Sequence, residues 1–248
     1  MLTKVLPAAA ALALVPPGPA WALDWQRPGD ITSGSMVVFS PIEQPLGRVE
    51  LSLGAGYVLS SPPGSVAPPV FPILGAVSRV HPLLEVSALI SPNSVIGFRV
   101  PHVQEAAHAV GSGFELQAQL DPRPNLPGGL NVPGMGTANL GLQYVLETTQ
   151  KAGPFAFHTM PLVGYYTKGP VAGVGFAADL DLGPVIVGAG ATLRFWYDGR
   201  ASYFPDQRLG AGARAFITDR IFALAAYNAN VPEGVQAALV GVGHHMGH

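Results

Sequence analysis

Between residues 185 and 197 the side chains alternate in character. Val185, Val187, Ala189, Ala191, Leu193, Phe195 and Tyr197 fall on one side, and Ile186, Gly188, Gly190, Thr192, Arg194 and Trp196 on the other. A period of two held over such a stretch is the pattern of a β-strand and does not fit helical spacing. Similar alternation predicts twelve strands, at about 46–58, 70–79, 82–90, 94–101, 106–120, 136–148, 154–166, 171–181, 184–197, 208–218, 220–229 and 234–244. The fourth is the weakest, and merging it with the third leaves eleven. Gly-x-Gly recurs on the less apolar side at Gly54/Gly56, Gly111/Gly113, Gly173/Gly175, Gly188/Gly190 and Gly210/Gly212. A soluble sheet covers its outer face with charge. A face of glycine, small residues and a few charges suits the inside of a closed barrel with lipid around it.

The punctuation agrees with a barrel. Residues 59–69, 121–135 and 198–207 are long, proline- and glycine-containing connections. Tight turns occur at Asp181-Leu182-Gly183-Pro184 and Thr218-Asp219-Arg220. In a twelve-strand count the long connections follow strands one, five and nine, and the tight turns follow strands eight and ten. Spanning barrels pair long loops on one side with short turns on the other. Two connections break the rule: the short turn at Lys168-Gly169-Pro170 after strand seven, and a longer one near residue 151 after strand six. Tyr57, Tyr165, Tyr166, Phe195, Trp196, Tyr197 and Tyr227 fall near the long-loop end, and Tyr144, Phe155 and Phe157 near the other. Such placement predicts two interfacial belts of aromatic rings.

Composition sharpens this reading. Charged residues make up 11% of the 248 residues, well under the roughly 25% of an average soluble domain. The mean hydropathy is +0.33. Beyond the N-terminus no apolar run approaches the about 18 residues of a membrane helix. Apolar composition without apolar runs is expected of strands that show lipid every second residue. Formal net charge is −2, and −3 once residues 1–22, whose one charged residue is Lys4, are set aside. No basic patch occurs, so nucleic acid is not an expected partner. The chain has no cysteine, which excludes disulfides and thiolate metal sites.

Residues 1–22 read as a secretory signal peptide: Lys4, the apolar stretch Val5 to Val15, then Ala20-Trp21-Ala22 as a small-x-small cleavage site. No cysteine follows to carry a lipid anchor. Residues 23–45 are polar and proline-containing, with no clear period, and read as an N-terminal periplasmic or lumen segment. Residues 46–248 form the predicted barrel.

With the apolar faces outward, the lumen receives Arg48, Glu50, Glu115, Gln117, Gln119, Asn139, Gln143, Glu147, Asp179, Asp181, Arg194 and Arg214. Charges in a narrow interior need partners, because stranding one costs several kcal/mol. A network that holds the barrel shut is preferred to a selectivity ring in a pore. The inward glycines imply close packing across the interior or sharp local bending.

Chemical motifs are few. No Gly-x-Gly extends to Gly-x-Gly-x-x-Gly or to a phosphate loop. His244, His245 and His248 form the sole histidine cluster, a weak metal candidate. The terminal tail reads as a frayed end, so no metal and no cofactor are expected. There is no Gly-x-Ser-x-Gly elbow. His158-Thr159, and His108 with Ser112, are residue types without a motif. The His-Ser arrangement of outer-membrane phospholipases and lipid A deacylases, with its following Asn-Gly, is not found. Asp179, Asp181 and Asp219 lack the Asp-His motif of outer-membrane proteases.

On the signal segment and the strands from about 46 to 244, the chain resembles bacterial outer-membrane β-barrel proteins as a general class. The resemblance implies delivery by periplasmic chaperones and insertion by the barrel assembly machinery. Such proteins usually end their last strand in an aromatic residue, whereas here Val235, Ala237 and Leu239 lead to His248. The sequence therefore predicts an all-β fold, an antiparallel transmembrane β-barrel of about twelve strands, with eight to twelve possible. Its expected role is a non-enzymatic structural protein or narrow pore for small solutes in the bacterial outer membrane, with the lipid bilayer as partner. The alternatives are a secreted soluble β-sandwich or barrel that binds a ligand or surface, and a membrane-embedded hydrolase.

Overall fold

The computed structural model describes Gly47 and residues 49–246, apart from 62, 67–68, 92, 105–106, 122–123, 127, 198–202 and 232–233. Thirteen strands follow in chain order: β1 (Val49–Ser60), β2 (Val70–His81), β3 (Leu84–Ile90), β4 (Asn93–Gln104), β5 (His108–Asp121), β6 (Leu130–Val132), β7 (Gly136–Ala152), β8 (Phe155–Tyr166), β9 (Gly169–Asp181), β10 (Val185–Tyr197), β11 (Tyr203–Phe216), β12 (Ile221–Asn230) and β13 (Val235–Met246). Each long strand pairs antiparallel with its chain neighbours. β5 joins β7 from His108↔Gln150 to Asp121↔Thr137, and β13 joins β1 from Met246↔Val49 to Gln236↔Ser60. These two pairings close a twelve-strand barrel without free edges. The thirteenth strand, β6, is a short addition to β7 beyond the point where β8 ends.

The twelve expected strands are all present, with several ends moved; β11 begins at Tyr203, which takes up half of the connection expected at 198–207. β7 runs on to Ala152, so the connection near residue 151 is a tight turn at Gly153-Pro154, where Gly153 takes φ +62°. That removes one of the two exceptions to the loop pattern. The other remains, since only Thr167 and Lys168 separate β8 from β9. β13 continues through His244 and His245 to Met246, paired with β1 to its end and with β12 as far as His244. His244 and His245 thus belong to the barrel wall, which corrects the reading of residues 244–246 as a frayed tail. Backbone pairing to β1 orders them where the local sequence gives no strand signal. The weak fourth strand is a full one, with an irregularity in register between Pro101 and Val103.

Alternation decides which side chains face out. Leu53, Leu74, Phe114, Leu116, Leu142, Val163, Phe176, Leu209, Val240 and Val242 are all exposed. They give the barrel an apolar outer band. Burying this much exposed apolar surface in water is not available to a monomer, and a bilayer supplies it. Tyr57, Tyr165, Phe195, Tyr197 and Tyr227 lie on this outer face toward the long-loop end, and Phe155 and Phe157 toward the other. Three belt assignments are corrected. Tyr166 and Trp196 are buried inside, because each is one residue out of phase with an outward neighbour. Tyr144 sits at the middle of β7, against Phe114 at 5.1 Å between ring centroids.

Candidate functional site in the barrel lumen

The inner face carries two apolar patches and three groups of polar side chains. One apolar patch is Val145, Met160, Leu162, Tyr166, Val171 and Trp196; the other gathers around Ile73, Leu89, Val95, Phe222, Leu224 and Leu239. Glycine makes room for the larger rings. A Cβ on Gly141 would overlap the Tyr166 ring, one on Gly56 the Phe71 ring, and one on Gly243 the Phe222 ring. All three are pairs between adjacent strands, in which an aromatic face covers bare backbone. Gly111 does the same for a cation, its absent Cβ leaving the Arg99 guanidinium its place.

The largest polar group lies toward the long-loop end. Gln117 Nε2 donates to Glu115 Oε2 at 2.7 Å, and Gln143 Nε2 donates to the same oxygen. The Tyr166 hydroxyl lies 2.6 Å from Gln117 Oε1 and 2.9 Å from Gln143 Oε1. Its ring meets Trp196 edge-on at 5.0 Å, and Lys168 Nζ sits 3.7 Å above the Trp196 ring. Arg194 Nη2 donates to Gln143 Oε1 at 3.4 Å. Gln119 Nε2 donates to Gln117 Oε1 at 2.8 Å, and Arg208 Nη2 donates to Gln119 Oε1 at 3.3 Å. Arg208 is on β11 and Gln119 on β5, five steps apart around the twelve-strand wall, so this bond crosses the lumen.

Nearer the tight-turn end, Arg99 lies between Glu85 at 3.7 Å and Glu147 at 3.6 Å. Glu147 also faces His158 Nδ1 at 3.8 Å, while Thr149 Oγ1 is 2.7 Å from that nitrogen and Asp179 Oδ2 is 3.0 Å from Nε2. A third group joins Glu50 to Arg214 at 2.8 Å and to His245 Nε2 at 3.0 Å, with Arg214 over the Phe222 ring at 4.0 Å.

The predicted lumen residues separate into these groups. Glu115, Gln117, Gln119, Gln143 and Arg194 share the first, Glu147 and Asp179 the second, and Glu50 and Arg214 the third. All nine point inward. Asn139 is buried on the inner face of β7. Asp181 is at the end of β9, where Oδ1 accepts the Gly183 N–H. Arg48 lies outside the described residues. Sequence reasoning missed Arg79, Glu85, Arg99, His158, Arg208 and His245, all buried inside. Strand parity was their signal: Arg99 is in phase with Gly97, and His158 with Met160 and Leu162. That signal was hidden because the inner face also holds Val95 and Leu89.

The suspected chemistry is distributed otherwise. His244 points outward and His245 inward, so the two cannot converge on one ion, and His248 lies outside the described residues. Thr159 faces outward and bonds Thr148 at 2.7 Å, away from His158. Ser112 is also on the outer face, and its Oγ is 2.7 Å from His102 Nε2.

An apolar outer band, a closed twelve-strand wall and a charged interior define a membrane-spanning β-barrel of the outer-membrane type. No family model and no curated protein matches the sequence. The structure is similar to the KdgM porin in complex with disordered oligogalacturonate, with a TM-score of 0.56 and 9% identity over 80% of this chain and 99% of that chain. It is also similar to the NanC porin, with a TM-score of 0.58 and 11% identity over 78% of this chain and 98% of that chain. At these identities the likeness establishes a shared β-barrel fold.

Proposed function

We propose that the protein is a narrow outer-membrane pore for small polar solutes and performs no chemistry of its own. The observation that carries this reading is the polar network inside a lipid-facing barrel, with Arg208 bridged to Gln119 across the lumen. A bond across the interior limits the passage to what fits beside it. Charges of both signs line the route, so small polar solutes encounter donors and acceptors along its length. The β-barrel fold shared with the KdgM and NanC porins supports the assignment. Residues 1–22 act as the export signal, and periplasmic chaperones and the barrel assembly machinery are the expected handlers of the chain.

Conductance across planar bilayers tests the reading. The refolded full chain is expected to give small discrete current steps, and Arg208→Ala larger ones, because the lumen-spanning bond is lost. A correctly folded barrel that passes no current in either form would leave a purely structural role and refute the pore.

A further inference from the structure

The outer face of the barrel carries an apolar groove of about 530 Å³ that crosses the seam between β13 and β1. It follows one row of directly paired residues, Ile221, His244, Leu51, Ala76 and Ala88, from β12 to β3. Ala76 faces Ala88, and these short side chains leave a depression in the wall. Leu53, Leu74 and Ile90 of the next row, 59%, 45% and 58% exposed, form its rim. Among the described residues that line the groove, His244 is the one with an ionisable side chain.

The row climbs through the membrane. Ile221 opens β12 at the tight-turn end, whereas Ala88 is two residues from the opposite end of β3. The path takes four steps from strand to strand, which at about 4.8 Å each is roughly 19 Å. With strands tilted by about 40° it rises roughly 12 Å, close to half of the roughly 30 Å hydrocarbon core. A groove of that reach, begun at the polar edge of the bilayer, matches one acyl chain of one leaflet. Its starting end is polar. His244 is exposed beside Ile221, and the turn before Ile221 exposes Asp219 and Arg220. The Arg220 carbonyl accepts the His245 N–H at 2.8 Å, which holds this turn against the end of β13. An imidazole that faces hydrocarbon is costly without a hydrogen-bond partner, and a lipid headgroup supplies one.

We propose that this groove seats one phospholipid whose headgroup carries both a phosphate and a primary ammonium. The phosphate meets His244 and the Arg220 guanidinium, the ammonium meets Asp219, and an acyl chain lies over Ala76 and Ala88. Charge complementarity selects this occupant: the turn offers a cation to the phosphate and a carboxylate to the ammonium. Short turns of such barrels face the periplasm, so the lipid belongs to the periplasmic leaflet. The inference rests on the membrane assignment and is independent of the pore reading. The groove spans β13 and β1, so the lipid bridges the two strands that close the wall. A ligand that binds only the closed form stabilises it.

Native mass spectrometry of the full chain in detergent, titrated with dioleoyl-phosphatidylethanolamine, tests the seat. One lipid per barrel is expected to stay bound under activation that strips further copies. Ala76→Phe fills the groove with an apolar ring that the bilayer accepts, and His244→Leu removes the headgroup contact without adding charge. Each is expected to weaken binding about tenfold or more. Ala172→Phe, on the outer face of β9 and five strands from β1, is expected to leave binding unchanged. Dioleoylglycerol, which has the same chains and no phosphate, is expected to bind as weakly as phosphatidylethanolamine binds the His244→Leu form. Dioleoyl-phosphatidylglycerol keeps the phosphate and lacks the ammonium, and is expected to fall between the two. Equal binding of all three lipids, or equal weakening by Ala172→Phe, would overturn the seat. A dimer that Ala76→Phe breaks, with no lipid retained, would overturn it in favour of a contact between two copies of the chain.

Discussion

Tyr166 and Gly141 form a pair whose coupling can be worked out in advance. The ring of Tyr166 lies flat over Gly141 and is 1% exposed. Gly141→Ala puts a methyl where the ring is, although the Gly141 backbone has no positive φ to prevent it. The ring cannot retreat inward, because Trp196 closes on it at 5.0 Å and its hydroxyl is held at Gln117 and Gln143. Overpacking of this kind costs about 1–3 kcal/mol. Loss of the hydroxyl's hydrogen bond adds about 1 kcal/mol, so a cost of about 2–4 kcal/mol is expected. In a Tyr166→Ala background the obstacle is gone. Alanine is then favoured over glycine in a strand by roughly 0.5–1 kcal/mol, and Gly141→Ala becomes neutral or stabilising. The coupling in the double-mutant cycle is therefore at least about 2 kcal/mol. Equilibrium urea unfolding in lipid vesicles measures it. Equal cost of Gly141→Ala in both backgrounds would refute the idea that glycine is there to seat the ring.

Other perturbations test other parts of the barrel. Ala189→Arg, on the outer face of β10, is expected to cost about 2–4 kcal/mol near the bilayer midplane. Gly188→Ala beside it costs only packing strain, and equal tolerance in the same unfolding assay would refute the inside–outside assignment. Arg214→Met leaves Glu50 with His245 alone, a loss of about 3–5 kcal/mol; the double change Glu50→Gln/Arg214→Met is expected to recover part of it in urea titrations. Removing residues 244–248 takes away the last pairs of β13 with β1, and should lower the yield of heat-shiftable barrel on unheated gels. Full-chain protein extracted from membranes is expected to show that shift, and a soluble, unshifted protein would overturn the membrane assignment.

The wall of this barrel was legible because lipid enforces the alternation residue by residue. The thirteen residues of β10 contain their whole inside–outside assignment, and the punctuation of β9 and β11 brackets them. Element ends were less legible where pairing overrides local preference. Lys151 and Ala152 extend β7 because β8 lies alongside, and His244 and His245 are in a strand because β1 is there. β6 escaped notice because it is three residues within a proline-rich connection. The lumen groups were only partly legible. Parity assigns Glu50, Arg214 and His245 to one face, but their meeting depends on which strands close the barrel. Arg208 and Gln119 meet for a reason that is not local at all: the diameter of the barrel.

Glu50, Arg214 and His245 come from the first strand, the eleventh strand and the end of the last one. They are separated along the chain by 164 residues in one case and 195 in the other. Before the last residues are in place, Glu50 and Arg214 have no seam to bury them, and a shortened chain would leave them in contact with water or lipid. The clasp therefore ties the favourable burial of these charges to completion of the polypeptide. A barrel that seals these charges only when β13 pairs with β1 distinguishes closed from open walls by its physics alone.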